Sequence, residues 1–380
     1  MFSVHVNERW IASGIGAVAV FFLGSSSFIC MGDVAIMKVV IRADASTIIG
    51  SGHVMRCLTL AKQLQKQMGA DVVFVMRDLP GNLISLVQKE GFQVLILPRV
   101  EEKPELTGYE KWLTVPSEQD VKETLILIQK NVGIADRIVV DSYALDYRWE
   151  SALRLVAKEI MVIDDLADRK HDCDILLDQN FCINKDMRYD GLVPEHCKLL
   201  LGPDYALLRE EFYEAKKHLR KRDGQIKNIL VFSGGSDLTD ETSKAIKALA
   251  LVHEKFINLS NKQMLQKQFC VNVIVGKSNP QCQAVEALCK QYDFIKYYCQ
   301  VANMAEFMNN ADLMLGAGGT TTWERLYLQL PSIVTAIADN QIKICHDCAA
   351  AGMIDFLGLA RDVSVEDIAF AVSKKCGIEL

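Results

Sequence analysis

Short apolar runs without polar alternation recur along this chain, each followed by an amphipathic stretch, and three of them run directly into glycine-rich turns that open a helix. Runs of this kind suit parallel strands covered on both faces, because a strand with one wet face would alternate. The pattern predicts strands at Val39 to Ile41, Val72 to Met76, Val94 to Leu97, Ile138 to Val140 and Met161 to Ile163. Helices are predicted between them, among others over Leu83 to Glu90, ended by Gly91, and over Tyr147 to Lys158. After Leu201-Gly-Pro-Asp-Tyr205 and a charged segment from Arg209 to Arg222 the pattern restarts, at Ile226 to Phe232, Val271 to Val275, Phe294 to Tyr298, Leu313 to Leu315 and Ser332 to Thr335. A chain of 380 residues is long enough for two ordinary domains. The expected architecture is therefore α/β, with two Rossmann-like doubly wound domains over 37–205 and 206–380, facing across a cleft where ligands of such sheets bind.

Residues 1–36 read as an extension outside that fold. Trp10 to Cys30 carries no charge and has the length of a spanning helix, so a membrane anchor through residues 10–30 is one expectation. Ser13, Gly14, Gly16, Gly24 and Ser25 to Ser27 weaken it. The favoured alternative is synthesis from Met37, which opens directly into the first strand, and a cytoplasmic protein. Twelve scattered cysteines show no disulfide framework, and reduced thiols follow. Cys345-His-Asp-Cys348 has metal-like spacing but no second pair, and reads as two half-buried thiols on a helix. A net charge of −6 without a long basic stretch argues against nucleic acid as a partner, so any phosphate site must be local.

The first glycine turn, Ile49-Gly50-Ser-Gly52-His53, sets a histidine where strand becomes helix. Glycines permit backbone angles closed to other residues, and the first N–H groups of a helix favour an anion and oppose protonation of His53. A neutral imidazole able to take a proton is the chemistry expected there. The helix stripe Val54, Cys57, Leu58, Ala61, Leu64 and Met68 accounts for the buried face, and His53 falls before it. In the second half, Ser233-Gly234-Gly235-Ser236-Asp237 precedes a helix starting near Thr239 or Asp240, and Gly316-Ala-Gly318-Gly319-Thr320-Thr321-Thr322-Trp323-Glu324 repeats the arrangement. Two such turns suit a diphosphate, and Glu324, one turn into its helix, suits the hydroxyls of a ribose. No Gly-x4-Gly-Lys-Ser/Thr loop is present, and Met55 interrupts the dinucleotide spacing, which counts against triphosphatases and dehydrogenases.

Several separated motifs carry a family resemblance: Ile41-Arg42-Ala-Asp44-Ala-Ser46, Ile49 to Leu58, Val140-Asp141-Ser-Tyr143, Ile163-Asp-Asp165-Leu-Ala-Asp168-Arg, Leu201 to Arg209, the Ser233 loop and Gly316 to Glu324. In this order, across residues 37 to about 360, the chain resembles the bacterial UDP-2,4-diacetamido-2,4,6-trideoxy-β-L-altropyranose hydrolases of pseudaminic acid synthesis. The resemblance implies a GT-B-like fold, a UDP-sugar substrate held mainly by the second half, and inverting hydrolysis at the anomeric carbon without metal or cofactor, in the service of flagellin or surface glycosylation. It implies that His53 activates water and that Gly234, Gly235, Ser236, Gly319, Thr320 and Thr321 hold the diphosphate. Asp44, Ser46, Asp141 and Tyr143 are expected either to orient His53 or to bind sugar amides, with Gly50 and Gly52 shaping the turn. Arg42, Asp165, Tyr205 and Gln341 fit substrate or hinge positions, with a structural salt bridge as the alternative. Trp323 stands where family members vary. A monomer is expected. Two rival functions are a glycosyltransferase using a UDP-sugar donor and a non-catalytic nucleotide-sugar binding protein.

Overall fold

A computed structural model describes residues 36–101, 105–259 and 269–378; the apolar stretch 10–30 lies outside them. Among the described residues no helix is long and apolar enough to cross a membrane. The chain divides into two compact units, one ending at Leu207 and the other beginning at Leu208.

In the first unit the strands are β1 (Lys38–Ala43), β2 (Asp71–Arg77), β3 (Gln93–Leu97), β4 (Ala135–Asp141), β5 (Ala157–Ile163), β6 (Ile175–Asp178) and β7 (Lys198–Leu201), in the order β3-β2-β1-β4-β5-β6-β7. Their pairings are parallel. Successive residues of β1 feed opposite sides of the sheet. Val39 and Ile41 pack with Val54, Cys57, Leu58, Ala61 and Leu64 of helix α1 (Gly52–Met68), whereas Val40 joins a second cluster containing Ile128, Trp149 and Leu153. These last residues come from α3 (Ser117–Asn131) and α4 (Tyr147–Leu153), which follow the short α2 (Ile84–Lys89). The expected stripe of α1 is thus its buried face, and Gly69, at φ 63°, ends the helix, its N–H donating to the Gln65 carbonyl and that of Ala70 to the Leu64 carbonyl.

The strand order reverses between β1 and β4, the crevice at which ligands of doubly wound sheets bind. The second unit repeats the plan. Its strands β8 (Asn228–Phe232), β9 (Cys270–Val275), β10 (Ile295–Cys299), β11 (Leu313–Ala317), β12 (Ser332–Ala336) and β13 (Asp355–Leu359) lie in the order β10-β9-β8-β11-β12-β13, with the reversal between β8 and β11. Helices α5 (Glu210–Lys217), α6 (Glu241–Leu259), α7 (Cys282–Cys289), α8 (Met304–Asn310), α9 (Thr321–Tyr327), α10 (Ile342–Ala350) and α11 (Val365–Cys376) connect or flank them. Both units are Rossmann-like α/β folds, as the apolar runs predict.

Some local expectations are corrected. The helix predicted over Tyr147 to Lys158 ends at Leu153, because Ala157 already pairs with Ala135 as the first residue of β5. Strands β6, β7 and β13 escape the periodicity. The first two have four residues each, and β13 contains Gly358 at φ 126° beside a register shift in β12. Cys345 and Cys348 sit on α10 as expected, but both are wholly buried rather than half-buried.

A buried charged cluster around Asp120 lies inside the first unit. Asp120 of α3 accepts from Arg42 Nη2 at 2.9 Å, from Arg77 Nη2 at 2.8 Å and from Trp149 Nε1 at 3.0 Å. Burial works to raise its pKa, and the two guanidinium groups overcome this and lower it. Asp120→Ala would leave two buried cations undercompensated, and an expected loss of about 3–5 kcal/mol in unfolding free energy follows, to be read by urea denaturation.

Candidate active site

Asp141 is the last residue of β4 and lies opposite Ala43 of β1, so its carboxylate emerges at the point where the strand order reverses. The turn after β1 delivers α1 to the same place. Ser46 shapes that turn: its hydroxyl accepts from the N–H groups of Ile48 and Ile49, and its carbonyl accepts from Gly50, which stands at φ 79°. Gly52 then begins the helix, and His53 Nδ1 meets Asp141 Oδ1 at 2.6 Å.

Arg56, one helical turn beyond His53, completes the cluster. Its Nε and Nη2 donate to the two oxygens of Asp141, each at 2.6 Å, and its Nη1 donates to Asp165 Oδ2 at 2.8 Å. Burial of Asp141 would favour the neutral acid, but Arg56 first and His53 second hold it well below the usual carboxylate range. An ionised Asp141 accepts the Nδ1 proton, so Nε2 is the nitrogen left to receive a proton. The Tyr143 hydroxyl donates to Asp165, and its ring stands edge-on to the imidazole with centroids 4.7 Å apart. Trp112 and Tyr109 extend this aromatic wall, Trp112 lying 6.0 Å from His53 and 4.9 Å from Tyr109. Beyond Trp112 opens a cavity of about 500 Å³ lined also by Ser46, Thr47, Pro80, Arg99 and Lys111.

Of the four polar residues expected beside His53, Asp141 contacts its ring nitrogen and Tyr143 its ring face, whereas Ser46 and Asp44 are engaged elsewhere. Asp44 accepts the Arg77 backbone N–H at 2.7 Å and pairs with Arg42 at 2.6 Å. Arg42 is wholly buried and pairs with both Asp44 and Asp120, the arrangement of a structural salt bridge. Tyr205 closes a short 3-10 turn and packs against the core of the first unit. Arg56, Trp112 and Tyr109 were not singled out from sequence. The spacing His53-x-x-Arg56 was a usable signal, since residues three apart share a helix face. Trp112 and Tyr109 lie in a 3-10 segment, Gly108–Leu113, that has no periodicity to read.

In the second unit Phe232 of β8 lies opposite Gly316 of β11, and both strands end in the predicted glycine turns. Their backbones are in close contact. A Cβ on Gly316 would stand 2.7 Å from the Phe232 carbonyl, and one on Gly318 would stand 2.4 Å from Cys345 Sγ. Gly234 has φ 98°, and the Gly235 carbonyl accepts from Ser278 Oγ at 2.9 Å. Asp237 accepts from the backbone N–H groups of Glu241 and Thr242, so it caps α6, which begins at Glu241, next to the predicted start near Thr239 or Asp240. Ser236, Gly319 and Thr321 are half-buried and Thr320 is exposed. Gln341 lies beside Gly318 and Gly319 and accepts the Ile337 N–H. Trp323 is buried.

Glu324 is not a surface charge: its side chain is 13% exposed. Oε1 accepts from Arg209 Nε and Nη2 at 3.1 and 3.0 Å, while Oε2 is buried without a partner among the described residues. Burial raises its pKa against the pull of Arg209.

These features can be set beside known proteins. Residues 228–343 match the Glycosyltransferase family 28 C-terminal domain. The chain is 26% identical over 306 residues to the UDP-2,4-diacetamido-2,4,6-trideoxy-beta-L-altropyranose hydrolase of Campylobacter jejuni, a match covering 80% of this chain and 93% of that protein. The chain is thus similar to that hydrolase along most of the length of both proteins. It is also 27% identical over 321 residues to Uncharacterized protein MJ1062 of Methanocaldococcus jannaschii, covering 82% of this chain but only 58% of that longer protein. In fold it is similar to MurG of Acinetobacter baumannii, with a TM-score of 0.57 at 14% identity over 89% of this chain and 90% of that one. A two-domain GT-B-like α/β fold is thereby established, as the resemblance implies.

Proposed function

We propose that the chain hydrolyses UDP-2,4-diacetamido-2,4,6-trideoxy-β-L-altropyranose, or a closely similar UDP-linked diacetamido sugar, to UDP and the free sugar. The observation that carries this reading is the 2.6 Å contact between His53 Nδ1 and an ionised Asp141. In the proposed reaction water attacks the anomeric carbon and gives its proton to His53 Nε2. The bond from that carbon to the β-phosphate oxygen breaks, its electron pair leaves with UDP, and configuration inverts. Asp141 keeps the imidazole in the tautomer that accepts at Nε2 and stabilises the imidazolium that forms, the role a carboxylate has in other histidine-base sites. UDP departs as a stable anion, so no carboxylic acid is needed opposite the base.

The diphosphate is assigned to the N–H and hydroxyl groups of Gly234, Gly235, Ser236, Gly319, Thr320 and Thr321. The unpartnered Oε2 of Glu324 is assigned to a ribose hydroxyl. Glu324→Ala is expected to weaken UDP binding about 10- to 100-fold, the value of a hydrogen bond to a charged group, with kcat at saturation little changed. Calorimetric titration with UDP and steady-state kinetics check the two parts. The match of 228–343 to a glycosyltransferase domain favours a second reading, transfer of the sugar to an acceptor hydroxyl. Incubation with the purified UDP-sugar and no acceptor, followed by NMR of the sugar and of UDP, separates them. Prompt release of the inverted anomer supports hydrolysis, and an intact UDP-sugar defeats it.

A further inference from the structure

Three arginines rank among the largest wholly buried side chains: Arg42, Arg77 and Arg325. The first two share the carboxylate of Asp120. Arg325 is different. Its Nη1 donates to the Ala317 carbonyl at 3.0 Å and its Nη2 to Thr322 Oγ1 at 2.8 Å, both neutral acceptors, and its Nε has no partner among the described residues. Among the described residues no carboxylate pairs with it; that of neighbouring Glu324 is held by Arg209. Burial accordingly brings this guanidinium down to about 10, with Cys345, Cys348 and Glu324 opposing it only in part. A buried cation left without a counter-charge is unfavourable, and the unfavourable term disappears when an anion comes close.

The placement says where that anion would sit. Ala317 is the last residue of β11 and Thr322 lies in the first turn of α9, so the two hydrogen bonds tie together the entry and exit of the turn 318–321. The guanidinium lies under the turn, with Nη1 3.6 Å from the position a Cβ on Gly316 would take. We infer that Arg325 is a positioning residue that holds the 318–321 turn in shape and, from beneath it, supplies the positive charge that a bound nucleoside diphosphate neutralises. The inference rests on the reading that this turn receives the diphosphate of a UDP-sugar. It differs from the backbone grip in that the charge acts through the turn without touching the ligand.

The test compares UDP with uridine by titration calorimetry on the whole protein and on Arg325→Met and Arg325→Lys, with melting temperatures of the free proteins. Arg325→Met is expected to melt no lower than the unchanged protein, because it removes an uncompensated buried charge. It should bind UDP about 10- to 100-fold more weakly while uridine affinity stays within about 2-fold, and Arg325→Lys should stay within about 5-fold of the unchanged protein for UDP. Unchanged UDP affinity in Arg325→Met overturns the inference, as does an equal loss for uridine, which would mean a distorted pocket rather than a missing charge. If Arg325→Met does not fold, Arg325→Gln takes its place, and equal UDP affinity in the Gln and Lys variants overturns the inference. Absence of UDP binding by the unchanged protein defeats the underlying reading itself, which a failure confined to the variants leaves standing.

Discussion

Replacing His53 by alanine is expected to lower kcat about 10²- to 10⁴-fold, the range associated with loss of a positioned general base, while UDP affinity stays near that of the unchanged protein. The separation follows from where the residue sits. His53 belongs to the first unit and bonds Asp141, whereas the turns assigned to the diphosphate belong to the second. Stability should change little, because the residue lies outside the apolar stripe of α1 and Asp141 keeps its two bonds from Arg56. The measurement is UDP release under saturating UDP-sugar, paired with calorimetric titration of UDP. Turnover near that of the unchanged protein across the pH range would remove His53 from the chemistry.

Asp141→Asn is the second large effect, and it strikes activity and stability together. An amide in place of the carboxylate no longer fixes the Nδ1–H tautomer, and kcat is expected to fall about 10²- to 10⁴-fold. The same change deprives the buried Arg56 of one of its two carboxylates. Asp165 remains, so the expected cost lies toward the lower end of the about 3–5 kcal/mol range for breaking a buried pair. The pH dependence has a definite sign. The pKa of Asp141 is depressed in the folded protein, so its contribution is fully present above the unfolded carboxylate value of about 4 and is lost as pH falls through the lower folded value. Urea unfolding at neutral pH should therefore show the full difference between the two proteins, and the difference should shrink progressively as pH falls below about 4. A stability gap that grew on acidification would contradict the pairing with Arg56.

The two predictions draw on different kinds of legibility. His53 could be found from sequence because everything that marks it is local: an apolar strand, two glycines and a helix stripe that starts just after it. The glycine turns of the second unit were legible for the same reason, and their positions after β8 and β11 agree with the apolar runs. Arg42 was legible as a motif residue, with a structural salt bridge among its two readings, but its partner was not. Its partner Asp120 is 78 residues away, on a helix whose orientation no local pattern reports. Trp112 was invisible, since the 3-10 segment that carries it has neither strand nor helix period. Short strands such as β6 and β7 were missed because three apolar residues in a row are too few to show a period.

By itself the amino-acid sequence determined two doubly wound sheets, the glycine turns at their switch points and the histidine at the first of these. All of these depend on backbone sterics and side-chain spacing within windows of a few to about twenty residues. Only the tertiary structure decided which carboxylate faces that histidine, because Asp141 reaches it across 88 residues through the pairing of β1 with β4. It also decided which buried arginines have a counter-charge, Arg42 through Asp120, and which one, Arg325, has none among the described residues. Charge pairing in a buried interior is set by which strands and helices become neighbours, and that order depends on burial of the whole apolar surface rather than on any one segment.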